Sequence, residues 1–178
     1  QHVWEGLQLN KEISTEKAEQ IFNDYSSYIY RIALFLTKSK ASADDITQET
    51  LLQIFKKYHT YRPDRPIEPW IYRITVNTVR NTLRRQKWLS YMDQLPEQSD
   101  GDLLDNHIVK NEEEAQLWQA IDNLTQKSKE VIILHYYSDM KLNEVAYTLG
   151  IPLGTCKSRL NSGLNNLKHQ LNQDHFNI

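Results

Sequence analysis

The 178-residue sequence predicts an all-α protein of two helical domains joined by an acidic, flexible linker. Apolar residues recur at three- and four-residue spacing along most of the chain. Glycine is scarce, with five in all, and no stretch alternates in the period-two manner of a strand. Charge is segregated behind a net value of -2: residues 17–88 carry thirteen Lys/Arg against seven Asp/Glu, residues 89–124 one against nine, and residues 125–178 six against four. Two basic blocks separated by an acidic one suggest two polyanion-binding modules on a connector. The expected boundaries are 1–88, 89–111 and 112–178.

The first helix is expected over Thr15 to Lys38, with Ala18, Ile21, Phe22, Tyr25, Ile29, Ile32, Ala33 and Leu36 as one apolar stripe. A second should follow Ser42 as its cap, with Asp45 three residues on, and carry Ile46, Leu51, Ile54, Phe55 and Tyr58 inward. Arg62 to Pro69 holds three prolines in eight residues and must be a stiff loop. The third helix begins near Pro69 or Trp70, where proline suits the first turn, and continues to about Lys87. Residues 89–111, with Pro96, Gly101 and many Asp, read as the linker. In the second module Leu117, Trp118, Ile121 and Leu124 form one helix face, and Val131, Ile132, His135 and Tyr136 another. Leu142 to Leu149, then Gly150 to Gly154, then Thr155 onward form a helix-turn-helix. Its second helix continues inward through Cys156, Leu160, Leu164, Leu167 and Leu171.

Cys156 is the single cysteine. No intrachain disulfide or cysteine-based zinc cluster can form, and a reducing cytoplasm is the natural setting. No membrane span or signal peptide is expected. The chain begins with Gln1 rather than Met, and residues 1–10 carry no fold assignment.

Two constellations point to nucleic acid. On the third helix Arg73, Asn77, Arg80, Asn81 and Arg84 share a face. Arginine neutralises phosphates, and asparagine offers a base edge both a donor and an acceptor. No acidic residue lies between Trp70 and Lys87, whereas a merely solvated face mixes signs. The adjoining Tyr61 to Pro69 loop sets Arg62, Asp64 and aromatic rings beside that helix; it is either a pocket for an unstacked base or an ordinary connector. At the start of the last helix, Thr155, Lys157, Ser158 and Arg159 can reach phosphates and guanine. Nothing indicates catalysis, a cofactor or a metal site: the six histidines are scattered and no HExxH, phosphate loop or nucleophile elbow occurs. Asp44, Asp45 and Glu49 favour a helix start rather than a metal.

Three stretches resemble the extracytoplasmic-function (ECF) group of bacterial sigma factors. Ala43-Asp-Asp-Ile-Thr-Gln-Glu-Thr50 is similar to region 2.2, Pro69-Trp-Ile-Tyr-Arg-Ile-Thr-Val-Asn77 through Leu83-Arg-Arg85 to regions 2.3 and 2.4, and Ala120 through Leu171 to region 4. The resemblance implies that Asp44, Asp45, Gln48 and Glu49 dock on the β′ coiled coil of core RNA polymerase. It makes Asn77 and Asn81 readers of the −10 element, with the 61–69 loop as the flipped-base pocket. It makes Thr155, Lys157, Ser158 and Arg159 contacts to the −35 element, in a domain that also meets the β flap. It further implies an anti-sigma factor, often membrane-bound, as a partner, and no covalent chemistry. Two departures stand out. Asn161, Ser162 and Leu164 replace basic residues after Lys157-Ser-Arg, and Val76 stands where the family often has Arg, trimming a phosphate contact.

Twenty-three linker residues can stretch to about 75–80 Å. Promoter elements about 17 base pairs apart are separated by roughly 58 Å, so the reach suffices. Two other readings compete. A stand-alone helix-turn-helix regulator predicts tight duplex binding to a palindrome without polymerase, but leaves the asparagine stripe without a task. An enzyme with a metal at Asp44, Asp45 and Glu49 is the remote alternative.

Overall fold

A computed structural model describes residues 13–93 and 112–174, all of whose regular elements are helices. In order these are α1 (Thr15–Thr37), α2 (Lys40–Lys57), α3 (Glu68–Asp93), α4 (Glu112–Asp122), α5 (Gln126–Ile132), α6 (Leu142–Leu149) and α7 (Leu153–Asp174). The expected linker, apart from residues 89–93, lies outside the described residues.

Capping chemistry sets the boundaries. The Ser14 hydroxyl accepts from the Lys17 amide at 3.2 Å and starts α1, which ends at Lys38 in the left-handed conformation (φ 57°). Ser39, in an extended conformation, then caps α2 by accepting from the Ser42 amide. The expected cap at Ser42 is therefore corrected: Ser42 is already in the first turn, buried, and its hydroxyl accepts from Gln86 of α3 at 2.9 Å. Asp45 falls on the exposed second turn. α3 outruns the expected end at Lys87 and reaches Asp93, because no glycine or proline interrupts the chain before Pro96.

α1, α2 and α3 enclose one part of the core with Ile21, Ile29, Ile32, Ile46, Ile54, Ile71, Val76 and Val79, all essentially sealed from solvent. Val76 is 0% exposed, so its replacement of an arginine is core packing and not a lost phosphate contact, as the sequence had suggested. Phe22, assigned inward, is instead 39% exposed.

α4 to α7 form the second helical unit. The Thr125 hydroxyl accepts from the Ser128 amide and starts α5. α5 runs into a π-helical turn, Ile133–Tyr137. The wider turn shifts the side-chain register, so Val131 to Leu134 are all buried while Tyr136, expected inward, is 59% exposed and Tyr137 packs instead. Leu117 is likewise 40% exposed, leaving Trp118, Ile121 and Leu124 to hold α4 down. Cys156, Leu160 and Leu167 of α7 are buried as expected, with Leu164 and Leu171 packed at the margin.

Gly163 permits the approach of α5 to α7. A Cβ there would lie 2.6 Å from Ile132 Cδ1 and 3.2 Å from Ser128 Cβ. At Gly150, between α6 and α7, φ is +65° and the amide bonds back to Tyr147, closing the helix-turn-helix.

The two helical units pack on each other. Phe35 of α1 stacks on Trp118 of α4 with ring centroids 4.1 Å apart, and the Tyr137 ring meets Phe35 edge-on at 4.9 Å. Thr148 of α6 donates to the Pro69 carbonyl at the start of α3, 3.2 Å away. Lys38 at the end of α1 pairs with Asp122 at 3.7 Å.

Candidate nucleic-acid interface

α3 presents two flanks. Asn77 and Asn81 are exposed and, with Thr78, Thr82 and Arg85, line one wall of a polar groove of about 620 Å³. α2 supplies the opposite wall with Asp45, Glu49, Gln53 and Lys57. The Glu49 carboxylate accepts from the Gln53 amide at 2.8 Å, while Asp44, Asp45 and Gln48 are exposed along the same helix. The asparagines and the acidic face, read separately from the sequence, therefore border one groove.

The arginines part company with the asparagines. Residues 73 and 80 are nearly two full turns apart and lie within about 20° of each other around the helix, whereas Asn81 is rotated by about 80° from Arg73. Arg80 makes a bidentate pair with Glu130 of α5, at 3.0 Å through Nε and 2.6 Å through the terminal nitrogen, and donates to the Leu149 carbonyl at 3.4 Å. The carboxylate's hydrogen bonds raise the Arg80 pKa further above its ordinary value. The Arg73 guanidinium lies 5.3 Å from the centroid of the Tyr147 ring of α6 and donates to the Tyr147 carbonyl at 3.5 Å. Arg84 remains exposed beyond the contact.

The proline loop builds a concave site. Tyr61 donates to the Arg65 carbonyl at 2.7 Å, and the Arg65 amide bonds back to Arg62, which fixes the turn. Tyr58, Tyr61 and Trp70 cluster with centroids 5.5 to 6.4 Å apart. A cavity of about 230 Å³ lies against Tyr61, Pro66, Pro69 and Trp70 and is bounded on its far side by Asn143, Glu144 and Tyr147 of α6. Arg62 also lines the cavity and pairs with Asp64 at 3.4 Å, both side chains being largely exposed.

At the N-terminal end of α7, Lys157 and Ser158 are exposed, and Thr155 and Arg159 are half-buried at the edges of that face. Asn161 and Ser162 extend the exposed strip as a polar, uncharged surface. Burial of Cys156 on the opposite side raises its thiol pKa, fixing which way the helix faces. Within the helix-turn-helix it is α6 whose Tyr147 and Thr148 meet α3. Among the described residues no cluster of three His, Cys, Asp or Glu side chains could hold a metal ion, and no helix is long and apolar enough to cross a membrane.

Glu130, Trp118 and Tyr147 were not legible as site residues. Glu130 is 2% exposed, between the polar Gln126 to Lys129 and the apolar Val131 to Leu134, and nothing in that local pattern marks it as the partner of Arg80.

Comparison with known proteins closes the assignment. The sigma-70 region 2 family model matches residues 21–89, which span most of α1, all of α2 and most of α3, and the sigma-70 region 4 model matches residues 120–169, which span α6 and most of α7. The chain is 30% identical over 166 residues to RNA polymerase sigma factor SigV of Bacillus subtilis (strain 168), covering 92% of this chain and 98% of that one. It is 28% identical over 164 residues to the ECF RNA polymerase sigma factor SigW of the same organism, covering 85% and 87%. Two solved structures share the fold: the sigma factor RpoE in complex with the anti-sigma factor NepR from Bartonella quintana, with a TM-score of 0.71 at 20% identity over 86% of this chain and 96% of that one, and CnrH in complex with the cytosolic domain of CnrY, at 0.67 and 21% over 90% and 91%. The chain belongs to the sigma-70 family of RNA polymerase sigma factors, within its ECF group, and acts in promoter recognition rather than in catalysis.

Proposed function

We propose a division of labour among the three surfaces. The outer face of α2, with Asp44, Asp45, Gln48 and Glu49, docks on the β′ coiled coil of core polymerase. Asn77 and Asn81 read the −10 element, Arg62, Arg73, Arg80 and Arg84 hold its backbone, and the cavity beside Tyr61 and Trp70 receives an unstacked base. Asp64, paired with Arg62, accepts from the base or orients that arginine. Thr155, Lys157, Ser158 and Arg159 contact the −35 duplex, and the unit that carries them meets the β flap. Residues 1–88 and 112–178 act as the two domains, and the acidic 89–111 segment spans between them. The work is done in the cytoplasm. An anti-sigma factor, membrane-bound in the simplest arrangement, is the expected inhibitor, since the similar structure from Bartonella quintana is of a sigma factor held in a complex with an anti-sigma factor.

The observation that carries this reading is the groove that brings Asn77 and Asn81 against the acidic face of α2. On this reading a base-reading edge lies beside a polymerase-docking edge, as strand capture on the enzyme surface requires. Capture exchanges base stacking for pocket contacts of about 1–3 kcal/mol per base.

The test is run-off transcription of the source organism's fragmented genomic DNA by core polymerase, with and without this chain. New starts sharing two spaced elements support the reading. Tight duplex binding by the chain alone, with no new starts, favours the regulator alternative.

A further inference from the structure

Arg80 and Arg73 hold groups on α5 and α6 with the same nitrogens that a DNA phosphate would need. We propose that Glu130 is an intramolecular lock: its carboxylate occupies the Arg80 fork in place of a backbone phosphate, so the unbound chain masks its own −10 helix. The proposal rests on the reading of α3 as that helix.

Four features argue for a lock. The Arg80–Glu130 contact is bidentate at 2.6 and 3.0 Å, the geometry by which a guanidinium also grips phosphate, so the two partners are mutually exclusive. Glu130 is 2% exposed and the Arg80 side chain 30%, so the pair is shielded from water at the seam between the two units. Arg73 is engaged in the same direction by Tyr147, and Thr148 anchors the start of α3 through the Pro69 carbonyl. The covering is also selective: it takes Arg80 and sets α6 along one side of the loop cavity, while Arg84 and, on α7, Lys157 and Ser158 stay exposed. Such a state must open to work. It holds α3 against the helix-turn-helix, whereas the two promoter elements lie roughly 58 Å apart along a duplex.

The test uses the full chain with dyes on Asn23→Cys in α1 and Lys168→Cys in α7, both exposed positions, the buried Cys156 being shielded from labelling. Energy transfer is measured for the unbound chain, for the chain on core polymerase, and for the Glu130→Gln variant. Affinity for a labelled, mixed-sequence single-stranded DNA is measured alongside. A closed unbound chain, opening on core polymerase, with Glu130→Gln shifted towards the open distance and binding the DNA about five- to tenfold more tightly, is the expected result. An unbound native chain that is already open overturns the proposal whatever the variant does. So does a folded Glu130→Gln that stays closed with unchanged DNA affinity. Should Glu130→Gln fail to fold, the exchange Arg80→Glu with Glu130→Arg decides: restored closure supports the pair as the lock, and an open or unfolded exchange rejects it. Run-off transcription by Glu130→Gln on core polymerase separates the two readings, since correct starts with no change in closure sink the lock alone.

Discussion

Around α3, Arg80 stands about 60° from Asn77, three residues away. That rotation sends one side chain to Glu130 and the other into the groove facing α2. Asn77 touches no part of the second unit's described surface through any hydrogen bond to α5 or α6, and its amide is presented to the groove. Asn77→Ala should therefore lower transcription at matched promoters by about tenfold, the scale of one base contact, while binding to core polymerase and thermal stability stay unchanged. Loss of core binding in that variant would indicate misfolding and void the assignment. A second residue-scale expectation comes from Tyr72, whose burial pushes its phenol up to about 12. The unfolded phenol titrates near 10, so the folded state favours the neutral form. The stability this contributes is complete below pH ~10 and is lost as pH rises towards 12. Tyr25, which donates to Glu68 at 2.8 Å and is also raised, acts in the same direction. Tyr72→Phe should flatten the fall in melting temperature across this alkaline window without abolishing it. An identical fall in both proteins would remove Tyr72 from the account.

Helix ends and helix contacts make their own demands. Gly150 has φ +65° with open space where a Cβ would stand, so Gly150→Ala isolates backbone strain from packing. It should cost about 1 kcal/mol by chemical denaturation, with Gly150→Asn costing less. Gly163 is the converse: its helical backbone accepts any residue, but Ile132 and Ser128 occupy the space. Gly163→Val should lower stability by ~2 kcal/mol through overpacking of α5 against α7. On α2, Asp45 and Glu49 share the exposed face, one turn apart. Replacing both with lysine should weaken core-polymerase binding about tenfold or more, read by equilibrium titration, through like-charge contact or loss of complementarity. Unchanged affinity would take this helix out of the docking surface.

At the scale of the molecule, the aromatic and ionic contacts between the units set how the chain rests. Phe35 and Trp118 are 83 positions apart in sequence and stack at 4.1 Å. A double-mutant cycle of Phe35→Leu and Trp118→Leu should yield a coupling of about 1 kcal/mol in thermal unfolding. Zero coupling would mean that the stacked arrangement is not populated in solution. Burial of Lys129, which lowers its pKa against the attraction of Asp122, sits at the same seam and links Asp122 to both Lys129 and Lys38.

The periodicities of α1, α2 and α7, the glycine turn at Gly150 and the segregation of charge were all readable from residue types, because each is a local demand on backbone geometry or on which face meets water. They sufficed for an all-helical fold, for nominating two polar stripes as nucleic-acid contacts and, through the motifs at 43–50, 69–85 and 142–160, for the family. The cap at Ser39 was missed because Ser39 and Ser42 satisfy the same local rule, and packing of Ser42 against Gln86 chose between them. The inward turn of Tyr137 in place of Tyr136 was hidden by a π turn, which breaks the spacing on which helical periodicity depends. Val76 looked like a truncated phosphate contact until the packing of α3 on α1 and α2 placed it in the core. The division of the α3 stripe, with asparagines facing α2 and arginines facing α5 and α6, belongs to the tertiary structure alone. A sequence states which side chains share a helix face, but the partner charge that claims Arg80 lies 50 residues away and is brought there only when the two units pack.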